Sequence, residues 1–265
     1  VRDLWDRREF AWYLAMGNLK ARNASTALGL LWWVLNPMLL GGVYWLVFGV
    51  IFDRGELEEG VSFLAYLLSG MFPFFFTQSS MTAGVNSIVS NTKLLANLRF
   101  PRLVLPLSAL MESLVGFLTS ILVFYLIAGP ISGVWPSHTI IWLLPLLVIH
   151  VVFNFGLSTV VARVAVPFRD LNNLVPYLTR LWLYLSPIIY PASFIVDSTN
   201  EWVRRSAGLN PLVSILGLYR YALVGEAFAI DLASAFLNAT LWATGVALLG
   251  VVWFIRYEGK MARYL

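Results

Sequence analysis

GLLWWVLNPMLLGGVYWLVFGVIF, residues 29–52, is a run of 24 residues with no charged side chain and one strongly polar one, Asn36. A helix crossing a hydrocarbon core of ~30 Å needs roughly 20 mostly apolar residues, and this stretch meets that requirement. The run is continuously apolar and does not alternate, so it reads as a helix and not as a strand of a membrane barrel. Five further runs of the same kind cover 61–84, 103–128, 139–162, 171–190 and 232–255, with the first span set at 30–52. The expectation is an all-α integral membrane protein with six transmembrane helices, forming one transmembrane domain over residues 1–265.

Composition agrees. Of 265 residues, 59% are hydrophobic and 12% charged, with a mean hydropathy of +0.77. Such a chain falls outside the range of water-soluble domains. Eleven Trp, eleven Tyr and eighteen Phe suit aromatic belts at the membrane interfaces or an aromatic-lined cavity. The absence of cysteine excludes disulfides, thiolate metal sites and a cysteine nucleophile. A net charge of +4 reports orientation in a membrane chain, so no nucleic-acid partner is expected. The first 25 residues are charged rather than apolar, so no cleavable signal peptide is expected.

The basic residues set the topology. Arg2, Arg7, Arg8, Lys20, Arg22, Lys93, Arg99, Arg102, Arg163, Arg169, Arg256, Lys260 and Arg263 fall on one side of the six-span scheme, thirteen of eighteen. Arg54, Arg204, Arg205 and Arg220 fall on the other, and Arg180 inside the fifth span. The positive-inside bias then places both termini in the cytoplasm. Residues 1–25 read as an interfacial amphipathic helix, with Trp5, Trp12, Met16 and Leu19 on one face. The segment 191–231 is too long for a turn and too apolar for a solvated loop. Within it, Asn210-Pro211 is a helix start, followed by a stripe of Leu212, Ile215, Leu216, Tyr219 and Leu223.

Few residues suit bond-breaking chemistry. The phosphate-binding loop G-x-x-x-x-G-K-[ST], the zinc motif H-E-x-x-H and the nucleophile elbow G-x-S-x-G are all missing from the sequence. Asp170 is the one acid of the cytoplasmic loops, so no paired carboxylates are available there to hold magnesium. No metal site and no cofactor are expected on this chain. A membrane-embedded enzyme acting on polyprenyl lipids would need clustered acids or histidines on one cytoplasmic face.

Four stretches, taken in order, resemble one family. They are GLLWWVLNPMLLGGVYWLVFGVIF, NTKLLANLRFPRLVLPLSAL from Asn91, VAVPFRDLNNLVPYLTRLWLYLSPIIY from Val164, and LNPLVSILGLYRYALVGE from Leu209. The combination of FPR-x-x-LP, FRD, SPIIY and NPL-x-x-I-x-x-Y-R is similar to the membrane subunit of ABC polysaccharide exporters, which export O-antigens, teichoic acids and lipid-linked galactan. The resemblance implies a bacterial cytoplasmic-membrane homodimer paired with two copies of a separate ATPase subunit, which would hold the ATP and Mg. The substrate would be a lipid-linked polysaccharide, galactan among the candidates. A drug or small-lipid exporter of the same architecture is the alternative.

The resemblance also gives roles to residues. Segment 86–101 would be the cytoplasmic coupling helix, with Asn91, Lys93, Leu94, Leu95, Leu98 and Arg99 at the ATPase contact and Pro101 stopping the helix. Read from the residues alone, those basics are membrane anchors. Short helices between spans five and six would form an outer gate, with Asn210, Pro211 and Tyr219. Phe72, Phe74, Phe75 and Phe76 in MFPFFF, with Arg180 and Tyr190, are candidates for a channel that lets sugar rings slide over aromatic faces. Four phenylalanines in five residues cannot share one helix face, so at least one must meet lipid or a neighbouring helix. Glu112 and Arg180 lie at span depth and either pair with each other or leave Arg180 to meet acidic groups of the substrate. His150 and Asn154, at i and i+4, read as polar glue between helices. Pro37, Pro73 and Pro145 read as kinks.

Overall fold

A computed structural model of the chain describes residues 8–23, 26, 28, 31–52, 62–91, 100–192, 194, 199–225 and 231–261. Its regular structure is helical: α1 (Arg8–Asn23), α2 (Trp32–Tyr44), α3 (Phe63–Val89), α4 (Val104–Ser132), α5 (Leu143–Ala165), α6 (Leu171–Leu185), α7 (Glu201–Leu209), α8 (Pro211–Val224) and α9 (Leu232–Met261). A π-helical stretch, Trp45–Ile51, prolongs α2, and a 3-10 turn, His138–Trp142, leads into α5.

Among the described residues, four helices are long and apolar enough to cross a membrane: Val34–Ile51, Val104–Ser132, His138–Ala165 and Leu232–Glu258. The two other expected spans differ from these for separate reasons. α3 has 27 residues, about 40 Å of helix, but it carries Ser69, Thr77, Gln78, Ser80 and Ser87. Every residue from Phe63 to Phe74 is buried, because α4, α5, α6 and α8 all pack around it. A helix sheathed in protein has no need of the hydropathy of one that meets lipid. The fifth segment, expected as a helix over 171–190, stops at Leu185 after 15 residues, about 22 Å. Pro187 is the cause. The residue before a proline is driven out of the helical region, and Ser186 is extended, at φ −105° and ψ 143°.

The bundle closes through glycine. A Cβ on Gly84 of α3 would sit 2.5 Å from Ser158 Oγ of α5, and one on Gly156 of α5 would sit 2.5 Å from the backbone of Ala247 in α9. Gly250 of α9 faces the Gly156 carbonyl at similarly close range. Without a hydrophobic drive between helices in lipid, such close approach supplies dispersion contact. A second glycine role appears at Gly133, whose φ of +68° lets α4 end in a left-handed cap. There Gly133 N–H donates to Gly129 O at 2.9 Å, and Val134 N–H to Ala128 O at 3.3 Å.

The N-terminal helix packs on the bundle through small residues. Ala11, Ala15 and Leu19 are covered, while Trp12, on the face read as lying along the membrane, is exposed. α1 lies against α4, and small alanines allow closer helix contact than Trp12 would. Trp5 is outside the described residues. Pro37 and Pro73 lie inside helices as expected. Pro145 falls in the first turn of α5, where a missing N–H breaks few ladder bonds.

These packing distances make a prediction. Gly156→Val should lower the melting temperature in detergent by several degrees, since overpacking costs about 1–3 kcal/mol. Gly116→Ala, where a Cβ would meet nothing within 4 Å, should leave it unchanged or raise it slightly. Equal shifts for the two variants would contradict the assigned contacts.

Candidate functional site: the α6–α8 junction and the exposed face of α6

The break after α6 exposes backbone carbonyls inside a membrane protein, and specific side chains satisfy them. Tyr66 of α3 donates its hydroxyl to Tyr190 O at 2.7 Å and to Pro187 O at 3.3 Å. Arg220 of α8, 3% exposed, donates a guanidinium N–H to Pro187 O. Its guanidinium carbon lies 3.7 Å from the centre of the Tyr66 ring, so one tyrosine serves as cation–π partner and hydrogen-bond donor together. Gly70 leaves the space: a Cβ there would be 2.8 Å from the Arg220 guanidinium. Tyr190 adds a bond from its hydroxyl to Tyr184 O at 2.9 Å.

Asn210 joins the same junction. Its Oδ1 accepts from Leu212 N–H at 3.1 Å and from Trp182 Nε1 at 2.9 Å. Its Nδ2 donates to Leu185 O at 3.2 Å and Ser186 Oγ at 3.1 Å. One side chain thus caps α8, with Pro211 at the first helical position as expected, and ties α8 to the end of α6. The predicted stripe of α8, Leu212, Ile215, Leu216, Tyr219 and Leu223, is buried throughout.

A polar seam runs from α8 into the bundle. His150 is fully buried, with Nε2 2.8 Å from Thr77 Oγ1 and Nδ1 3.2 Å from Tyr219 OH. Both ring nitrogens are engaged by hydroxyls that can donate or accept, so a neutral imidazole satisfies the arrangement in either tautomer. The His150 ring is an edge neighbour of Phe76 at 4.9 Å, and Phe76 stacks on Phe117 at 4.9 Å. His150 therefore joins α3, α5 and α8, as a gluing residue should. The amide of Asn154, one turn on, has no hydrogen-bond partner among the described residues, nor has Ser80 Oγ or Ser158 Oγ.

The expected path residues fall in two groups. Phe72, Phe74 and Phe76 are buried in the subunit's own core, with Phe75 partly so, because α3 is surrounded; they border no open surface here. Tyr219 is likewise fully buried. Arg180 is exposed on α6, and with Asn172, Asn173, Pro176 and Tyr177 it lines an open depression of about 420 Å³. Glu112 is partly buried on α4. α6 packs on α3 through Leu171, Val175 and Thr179, the last 3.0 Å from Gln78 Nε2. Two other stripes of α6 are exposed: Leu174, Leu178, Leu181 and Leu185, and beside them Asn173, Tyr177, Arg180 and Tyr184.

At the other end of the bundle, Asn91 closes α3, its amide donating to Ser87 O at 2.8 Å. Arg102 is held by Glu258 of α9, through its backbone N–H at 3.0 Å and its guanidinium. Phe100 meets Phe10 of α1 edge-on at 5.5 Å. Lys93, Leu94, Leu95, Leu98 and Arg99 lie outside the described residues.

Fold and junction together define a polytopic helical membrane protein. The chain belongs to the ABC-2 type transporter family, whose model matches residues 9–224, so it is a transport component and not an enzyme. It is similar to the O-antigen export system permease protein RfbA of Myxococcus xanthus, 32% identical over 221 residues, covering 83% of this chain and 82% of that protein. A protein of the same name in Klebsiella pneumoniae is 32% identical over 204 residues, 77% of this chain and 75% of its own length. The polysialic acid transport protein KpsM of Escherichia coli is 26% identical over 251 residues, 89% and 90% of the two chains.

Sequence reasoning missed Tyr66 and Arg220 and placed Arg220 among outer-loop cations. A signal was present, since Arg220 follows Leu216 by four residues and precedes Leu223 by three, within the buried stripe. Tyr66→Phe removes the donor to two buried carbonyls and should cost about 1–3 kcal/mol of stability, and Arg220→Met a comparable amount. The double change should cost less than the two singles combined, because the groups form one network. Thermal melts in detergent check this, and strict additivity would dissolve the network.

Proposed function

We propose that this chain is the membrane subunit of an ABC exporter that moves a lipid-linked polysaccharide, galactan among the candidates, across a bacterial cytoplasmic membrane. The observation that carries the reading is α6. Its leucine stripe suits an apolar neighbour, and the adjacent Asn173-Tyr177-Arg180-Tyr184 stripe suits a glycan: aromatic faces for sugar C–H surfaces, amides for hydroxyls, a guanidinium for acidic groups. An arginine at that depth must face protein or water, so the stripe lines a hydrated path. The relatives' names, O-antigen and polysialic acid, favour a polysaccharide over a drug or small lipid.

In this reading two copies enclose the path and two ATPase subunits bind the cytoplasmic side, carrying ATP and Mg. The six spans are α2 with its π-helical extension, α3, α4, α5, α6 and α9, with both termini in the cytoplasm. α7 and α8 form the outer gate region. The segment 86–101 couples to the ATPase; within it Asn91 is tied to α3 and Phe100 to α1, and Arg102 just beyond it is tied to α9, which suits a segment that must transmit force.

Two measurements test this. Tyr177→Ala, Tyr184→Ala and Arg180→Gln should each reduce export several-fold while ATPase assembly and melting temperature hold, and export unaffected by all three would exclude α6 from the path. Leu94→Asp with Leu95→Asp should abolish export and ATPase co-purification while the chain stays in the membrane. The lack of native cysteine lets single introduced cysteines on α6 report pairing of two copies by cross-linking.

A further inference from the structure

At the end of the bundle that carries Arg102 and α1, Arg163 of α5 is partly buried against α9. Its guanidinium carbon lies 5.0 Å from the centre of the Tyr257 ring and 5.8 Å from that of Trp253. Trp253 and Tyr257 are one helical turn apart on α9, so the cation is fixed in place by two rings. Its Nε is buried without a hydrogen-bond partner, and the guanidinium makes no ion pair among the described residues. Glu258, the next residue after Tyr257 on α9, turns its carboxylate to the Arg102 backbone N–H at 3.0 Å. Asp170 sits exposed beyond the end of α5.

A guanidinium held by ring contacts, with no acid paired to it among the described residues, has N–H donors to offer an oxyanion. The surroundings specify which kind. Leu248, Leu249 and Val252, one turn deeper on α9, are exposed and apolar. Trp and Tyr are the residues that settle at headgroup level. Arg102, Arg169 and Arg256 give the same end a positive field. A ligand that satisfies all three features has a phosphate for Arg163 and acyl chains for the leucines. We propose that Arg163, held by Trp253 and Tyr257, forms a binding site for the phosphate of an anionic phospholipid between α5 and α9. The site is independent of the exported cargo.

Native mass spectrometry of the intact detergent-purified chain, titrated with phosphatidylglycerol or phosphatidylcholine, tests the site. The wild type should retain phosphatidylglycerol in preference to phosphatidylcholine, and Arg163→Gln should cut that preference about fivefold, the worth of one well-placed cation. Arg163→Lys should retain part of it, and Arg169→Gln, exposed at the same end without rings, all of it. Trp253→Leu, which keeps the charge but removes a ring, should weaken the preference to a lesser degree and serves if Arg163→Gln does not fold. A preference unchanged by either Arg163→Gln or Trp253→Leu overturns the proposal. Displacement of the lipid by inorganic phosphate alone would show a small-anion site and also overturn it. So would loss of ATPase co-purification by Arg163→Gln with lipid preference intact, since the cation would then serve a protein partner.

Discussion

Backbone contact between α5 and its two neighbours is the constraint from which the rest of the bundle follows. Gly84 admits Ser158, Gly156 admits the Ala247 backbone, and Gly250 lies on the Gly156 carbonyl. These contacts set the register of α3 against α5. Thr77 meets His150, and Gly84, seven residues on, meets Ser158, eight residues on, so the two helices run parallel. That register brings the His150 ring between Thr77 and Tyr219 and stacks Phe76 and Phe117 beside it. A shift of one residue in either helix would turn the imidazole away from both hydroxyls and leave it unpaired in a low-dielectric interior.

Because α5, α4, α6 and α8 all reach α3, the middle helix lives in protein. Its polar residues are then contacts instead of liabilities. Thr77 bonds His150, Gln78 bonds Thr179, and Asn86 bonds Asn172. The helices at the periphery have the opposite requirement, and α4, α5 and α9 are correspondingly apolar along their lengths. Hydropathy therefore measures how much lipid a helix meets and says little of whether it crosses.

This distinction explains what the sequence could reveal. The apolar runs around α2, α4, α5 and α9 were legible because lipid demands continuous hydrophobicity. The start of α8 was legible because Asn210-Pro211 is a local signal, satisfied by Asn210's own bond to Leu212 N–H. The stop of α6 at Leu185 was available in Pro187 but was outweighed by the length of the apolar run. MFPFFF suggested a channel since aromatic density is visible in one dimension, whereas burial of Phe72, Phe74 and Phe76 depends on four helices far away in sequence. Tyr66 and Arg220 are 154 positions apart, and no periodicity within either helix reports that they meet.

The break after α6 shows why that meeting matters. In hydrocarbon, carbonyls released by a broken helix cannot find water, so irregular backbone survives only where protein or a hydrated path receives it. At Pro187 and Tyr190 the receivers are Tyr66 and Arg220, and at Leu185 the receiver is Asn210. At 3% exposure the Tyr66 ring and the Pro187 carbonyl replace part of the hydration of Arg220, while its Nε has no partner among the described residues. Each half of the junction is costly alone: the free carbonyls without the cation, and the cation without the carbonyls. Their pairing is what lets α6 be short, and a short α6 held at both ends on α3 leaves its remaining two stripes, leucine and polar-aromatic, uncommitted by the subunit's own core.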